Sequence, residues 1–143
     1  MKLASILYSP RWIVSLWLLM LPVVGCVAMD SRVDHSIQII NVGKSSVTDV
    51  VYTYGELGPR PIKSLGLGGG GVIKIMSIPE LIDVKWTTEA DGQVHEVQVP
   101  LKSKVSAREV SGKTVSIEID GPLLKVFLVT RLPDFREERK QLY

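Results

Sequence analysis

The sequence predicts an all-β fold, a small antiparallel sandwich of about seven strands over residues 33–131. Three observations predict it. Short segments rich in Val, Ile, Thr and Tyr alternate apolar and polar residues with the two-residue period of a strand. Clusters of Gly, Pro, Asp and Ser separate these segments, as turns require. Between Asp30 and Arg131 no stretch carries the longer period of an amphipathic helix.

Taken in order, Ser36 to Val42 and Val47 to Tyr54 form the first pair of strands, divided by Gly43-Lys44-Ser45-Ser46. A loop rich in Gly and Pro is expected from Gly55 to Gly71. Val72 to Met76 is a short strand and Ile82 to Thr88 a clearer one. Gln93 to Val99 follows Glu89-Ala90-Asp91-Gly92, a hairpin loop with Asp-Gly at its end. Thr114 to Asp120 and Leu123 to Thr130 make the strongest hairpin. Gly121 there supplies the positive φ of the first central position in a type II′ turn, and Pro122 suits the second. The second of these strands is apolar on both faces apart from Lys125, which marks it as an interior strand. The tail, residues 132–143, is expected to be a short helix or disordered, because Asp134-Phe135-Arg136-Glu137 has the spacing of a capping box. Strand number and length together suggest a broadly immunoglobulin-like or transthyretin-like sandwich.

The first residues have another character. Lys2 and Arg11 precede Trp12 to Leu21, a short apolar run closed by Pro22 and then Val23-Val24-Gly25-Cys26. A basic start, a brief apolar stretch and small residues at the exit describe an export signal, residues 1–25. A bilayer span needs roughly 20 apolar residues, and Pro22 would interrupt such a helix. Val23-Val24-Gly25-Cys26 resembles the lipobox of bacterial lipoproteins, with Val23 where Leu is usual. The resemblance implies that the Cys26 thiol is acylated and that cleavage before it leaves Cys26 as the first residue. Residues 26–32 then form the lipidated cysteine and a short tether. Lipoproteins of this type retained in the inner membrane commonly carry Asp after the cysteine; Val27 stands there instead, which resembles the outer-membrane kind. The resemblance thus implies a protein on the periplasmic face of the outer membrane. Cys26 is the chain's one cysteine, so no intramolecular disulfide can form.

Charge narrows the partners. Removing Lys2 and Arg11 from 17 Lys and Arg leaves as many basic as acidic residues, of which there are 15. A neutral mature chain has no bulk attraction for nucleic acid. Gly66, Gly68 and Gly71 satisfy G-x-G-x-x-G, but Val72-Ile73-Lys74-Ile75 follows as a strand and not as the helix a dinucleotide site needs. His35 and His95 are taken as solvated strand histidines. A metal site combining them with Asp34 or Glu96 has no supporting spacing. No nucleophile elbow, paired carboxylates or cofactor motif occurs, so neither an enzyme nor a cofactor is expected. Trp86 continues the inward alternation of Ile82 and Val84, and is expected in the core.

The expected function is therefore binding. Ile37 to Val129 resembles small lipoproteins encoded beside secreted antibacterial toxins, notably type VI secretion lipase effectors. The resemblance lies in Val42 to Tyr54, Trp86-Thr87, His95 with Val99-Pro100, and Lys125-Val126-Phe127. It implies an immunity protein that neutralises an effector stoichiometrically; a structural or assembly lipoprotein of a secretion system or the envelope is the alternative. The expected contact is the loop from Gly55 to Gly71, where Arg60 and Lys63 flank Pro61 and the prolines limit the entropy lost on docking.

Overall fold

A computed structural model describes residues 32–75 and 77–143. The signal segment, the lipobox, Cys26 and the tether up to residue 31 lie outside the described residues. Nine strands occur among those described: β1 (His35–Asn41), β2 (Val47–Tyr54), β3 (Pro59–Leu65), β4 (Gly70–Ile75), β5 (Leu81–Thr88), β6 (Val94–Pro100), β7 (Thr114–Asp120), β8 (Leu123–Arg131) and β9 (Glu137–Gln141). They form a sandwich of two sheets, ordered β4-β1-β7-β8-β9 and β3-β2-β5-β6. All neighbours are antiparallel except β1 and β7, which run parallel with Ser36 opposite Thr114.

The core lies where the inward positions of both sheets meet. Ile37 and Ile39 of β1 and Val115, Ile117 and Ile119 of β7 face Tyr52 and Tyr54 of β2 and Ile82, Val84 and Trp86 of β5. In β2 the inward Val47 and Val50 are three residues apart, which simple alternation forbids. A register shift against β5 between Thr48 and Val51 absorbs the extra residue, with Asp49 at φ 49°. Trp86 is fully buried, as its alternation predicts, and its indole N–H donates to the Gly121 carbonyl at 2.8 Å. That bond joins the core of one sheet to the β7–β8 turn of the other. Gly121 has the expected positive φ, 56°.

Two segments differ from expectation. The stretch from Gly55 to Gly71 is not one loop, because β3 occupies its middle as an edge strand paired with β2 and β4 already begins at Gly70. Pro59 and Pro61 are two residues apart, so both missing N–H groups fall on the same, outer edge, where no ladder bond is lost. The tail is not helical either. Asp134 accepts from the Arg136 backbone and side chain, at 3.3 and 2.6 Å, within a hairpin loop. β9 then pairs with the free edge of β8, and Leu142 enters the core. Arg139 of β9 lies 4.2 Å over the Phe127 ring and bonds Glu118. A helix would have left that edge and ring uncovered.

The capping box is present elsewhere, on α1 (Ala107–Val110), a single helical turn absent from the expected elements. Ser106 Oγ accepts from the Glu109 N–H, and Glu109 accepts from the Ser106 N–H at 2.9 Å. Lys140 of β9 also pairs with Glu109, at 2.9 Å.

Two predictions follow from these contacts. Trp86→Ala should cost about 3–5 kcal/mol in chemical denaturation, and Trp86→Phe, which keeps an aromatic ring but loses the indole donor to Gly121 and part of the buried volume, about 1–3 kcal/mol. For Glu109, the Ser106 backbone N–H and then the Lys140 ammonium hold the carboxyl down from its ordinary 4.5 to about 2. A depressed acid stabilises the fold above its unfolded value and loses that contribution as pH falls from 4.5 toward 2. Glu109→Gln should therefore lower the melting temperature at pH 7 and flatten its decline across that window.

Candidate functional site

The two sheets do not close completely along the β3 and β4 edges. Between them lies a cleft of about 540 Å³. Its floor is apolar: Ile37 and Ile39 from β1, Tyr52 from β2, and Leu65 at the end of β3. The opening follows from what the edge strands carry at inward positions. Gly71 stands opposite Ile39 in the β1–β4 register and contributes no side chain. Ile73, opposite Ile37, keeps 38% of its surface in solvent. On the facing edge, Arg60 stands opposite Tyr52 and Ile62 opposite Val50. The cleft exists because a glycine and a long cation occupy positions that interior strands fill with Ile or Val.

Three polar side chains line this apolar space, Arg60, Tyr52 and Ser64. Arg60 is exposed at the rim and forms no ion pair among the described residues. Tyr52 is 3% exposed, and its hydroxyl has no hydrogen-bond partner among the described residues. No fully buried side-chain oxygen or nitrogen is left unpaired, so that hydroxyl must reach the cleft. Burial raises its pKa, partly offset by the Arg60 guanidinium, and the phenol stays a neutral donor at physiological pH. An apolar pocket with a cation at its mouth and neutral hydroxyls among its lining suits an apolar group attached to a carboxylate.

The closed end of the cleft is built by glycines and one buried amide. The Asn41 side chain donates to the carbonyls of Ser45 and Leu65, at 2.9 and 3.0 Å, and accepts from the Gly43 N–H at 3.0 Å. Its backbone carbonyl accepts from Gly68 at 2.8 Å and its N–H donates to Gly69 at 3.2 Å. The G-x-G-x-x-G run is therefore a corner that carries the chain from one sheet to the other and opens into β4. At Gly70 a Cβ would lie 2.2 Å from the Ile39 carbonyl oxygen, so β4 can meet β1 only through glycine.

The residues singled out in the sequence are distributed unevenly around this site. Arg60 is at the cleft; Lys63 is exposed on the same strand but outside the lining, because the alternation that turns Arg60 and Ile62 inward turns Lys63 away. His35 is not solvated as expected. It is 2% exposed because it begins the inward series of Ile37 and Ile39. Its Nδ1 lies 2.7 Å from the Val33 carbonyl, which can only accept, so Nδ1 carries a proton and Nε2 accepts from the Tyr54 hydroxyl at 2.8 Å. Burial pushes the Tyr54 phenol pKa up. His95 is half-buried, its ring centroid 5.3 Å from that of Trp86 and its Nε2 3.2 Å from Thr88 Oγ1. Asp91 closes the same hairpin by accepting from Thr88 Oγ1 and from the Gln93 N–H, bonds that hold its pKa low. Asp34 is exposed and pairs with Lys74 at 2.9 Å, and Glu96 is exposed on β6. Among the described residues no group of three or more His, Cys, Asp and Glu could hold a metal ion. Tyr52 and Asn41 were not singled out. The alternation Val50, Tyr52, Tyr54 signals an inward Tyr52, but nothing in the sequence marks an opening beside it.

No family model matches this chain, and no curated protein matches it. Among solved structures, an NMR structure of a protein from Eubacterium rectale is similar over 71% of this chain and 93% of its own. The two are 20% identical, with a TM-score of 0.46.

Neighbouring glycines provide a test of this geometry. Gly71 has nothing within 4 Å of a built Cβ, so Gly71→Ala should leave stability within about 1 kcal/mol of the parent. Gly70→Ala should cost about 1–3 kcal/mol, because the β1–β4 ladder must shift. Equal melting temperatures for the two variants would contradict the placement of β4.

Proposed function

We propose that this chain is a binding protein of the bacterial envelope, anchored by acyl chains on Cys26 at the periplasmic face of the outer membrane. It acts by stoichiometric occlusion of a protein partner, as an immunity protein against a secreted antibacterial effector. The observation that carries the reading is the β3–β4 cleft, an unfilled apolar pocket with an exposed Arg60 at its mouth. A pocket of this size accepts one anchor residue of a partner, and buried anchors supply most of the energy of protein interfaces. The surrounding surface supports an interface wider than the cleft itself, since Leu67 at the adjoining corner is 62% exposed and Ile73 forms part of the rim. The lipobox resemblance at Cys26 supports the location, and the resemblance of Ile37 to Val129 to effector-linked lipoproteins supports the immunity role.

Capture from periplasmic extract with the purified full chain, followed by titration of the identified partner, tests the reading. One partner per chain is expected, with protection requiring about one equivalent. Arg60→Ala and Gly71→Leu, which removes the cation and fills the cleft respectively, should each raise Kd about tenfold or more, or ~1.4 kcal/mol. Lys63→Ala weakens binding only if the partner wraps around the β3 edge. Protection at far below one equivalent, or full affinity in Gly71→Leu, would overturn occlusion through the cleft. Cys26→Ser should abolish acylation and signal cleavage together, read by intact mass; an unchanged mature mass would remove the anchor.

A further inference from the structure

Phe135 keeps 88% of its surface in solvent, the largest such fraction among the exposed large apolar residues described. It stands on a well-bonded loop between β8 and β9. The Leu132 N–H donates to the Arg136 carbonyl at 2.8 Å, and the Phe135 N–H to the Leu132 carbonyl at 3.0 Å. This is a three-residue hairpin connection, a turn followed by one left-handed residue, where glycine is favoured. Phe135 holds that position at φ 64°. Glycine would relieve the backbone and any polar side chain would spare the apolar exposure. The aromatic ring serves neither folding nor solubility, and backbone strain of this kind gathers at contact sites.

The loop's position identifies what it meets. β1 starts beside the start of β7, with Ser36 opposite Thr114, and Thr114 lies opposite Val129 near the end of β8. The first described residues and the β8–β9 loop therefore leave the sandwich at the same end. Ser36, Gly112, Arg131 and Glu137 border one shallow groove there. Cys26 precedes Arg32 by six residues, a reach of about 20 Å at full extension. Acyl chains on Cys26 would hold this end within that distance of the bilayer.

We propose that the β8–β9 loop is a second membrane contact, in which Phe135 inserts its ring into the interfacial region of the bilayer that holds the Cys26 anchor. The inference rests on the anchor reading given above. The loop's charges suit a headgroup layer, because Arg131 pairs with Glu137 at 3.2 Å and Arg136 with Asp134 at 2.6 Å. The ring then enters lipid flanked by compensated charge. One ring adds little to the hold of several acyl chains. Its consequence is orientation: a tether alone leaves the domain free to turn, whereas anchor and ring together point the Asn41 corner and Leu67 away from the membrane.

The test uses the full chain made in a bacterial host, purified from membranes, checked for acylation by mass, and reconstituted into phosphatidylethanolamine–phosphatidylglycerol vesicles with brominated acyl chains. Phe135→Trp should show a blue-shifted emission that loses at least half its intensity to the brominated lipid. The parent protein, whose mature chain has only the buried Trp86, should be essentially unquenched. Phe135→Gly should melt at the same temperature as the parent or higher, since strain is removed and no packing lost. An acylated, vesicle-bound Phe135→Trp protein without quenching overturns the membrane contact and leaves the anchor standing. A chain that carries no acyl group and stays off the vesicles overturns both. Emission that responds to a soluble protein partner and not to brominated lipid overturns the proposal in favour of a protein contact, and a lower melting temperature for Phe135→Gly does so in favour of a packing role.

Discussion

The chain crosses between the sheets at a corner that depends on one buried amide. Asn41 ends β1, and from there the chain turns into β2 in the other sheet; the return crossing from β3 to β4 passes directly beside it. Its Nδ2 satisfies one carbonyl from each crossing, Ser45 and Leu65, while Oδ1 takes the Gly43 N–H. Gly43 and Ser45 belong to the irregular β1–β2 connection and Leu65 is the last residue of β3, and an unmet buried carbonyl or N–H costs about 1–3 kcal/mol. Asparagine is the side chain that can donate twice and accept once at this scale. Position the crossings otherwise, and neither the β1–β4 pairing nor the closed end of the cleft would stand where it does.

The same economy explains why a cleft exists at all. The two sheets have four edges, and three of them, β9, β3 and β4, are handled differently. β9 is charged from Glu137 to Lys140 and discourages pairing with another chain. β3 carries Pro59 and Pro61, which leave its outer side without donors at those positions. β4 needs Gly70 to approach β1 and has Gly71 next to it. These devices make poor core-fillers, so the devices that blunt the β3 and β4 edges also leave the interior uncovered between them. The exposed Ile73 and the inward Arg60 are both consequences of that arrangement.

Alternation and turn chemistry made seven of the nine strands legible, because their β-branched and apolar runs are bounded by residues with a turn preference. β3 was hidden by its prolines, which argue against a strand everywhere except at an edge, and edge status is a tertiary fact. β9 was hidden by composition: Glu137-Glu138-Arg139-Lys140-Gln141 has no apolar period, and its partners lie on β8. Yet the doubly apolar β8 implied a neighbour on each side. The capping-box pattern was legible as chemistry but not as location, since Ser106 to Glu109 carries it as well as Asp134 to Glu137 does. Of the site, Arg60 was legible as an exposed cation between prolines. The cleft was not, because it arises from which inward positions stay unfilled across two sheets that meet only in the folded chain.

Strand direction gives the domain two unlike ends. The start of β1, α1 and the β8–β9 loop gather at one end. The Asn41 corner, the Gly121 turn and the Asp91 hairpin gather at the other, tied together by Val42 to Ile119 and Glu89 to Ser46 backbone bonds and by Trp86 to Gly121. The first end carries the chain's approach from Cys26 and the strained Phe135. The second carries the fully satisfied amide, the rigid turns and the exposed Leu67 and Val42. A binding surface gains from rigidity, since little order is lost on docking, whereas a contact with fluid lipid demands only an apolar group held outward. The parallel β1–β7 pairing enforces this division: were β1 antiparallel to β7, the chain would enter at the Asn41 end, beside the cleft's corner.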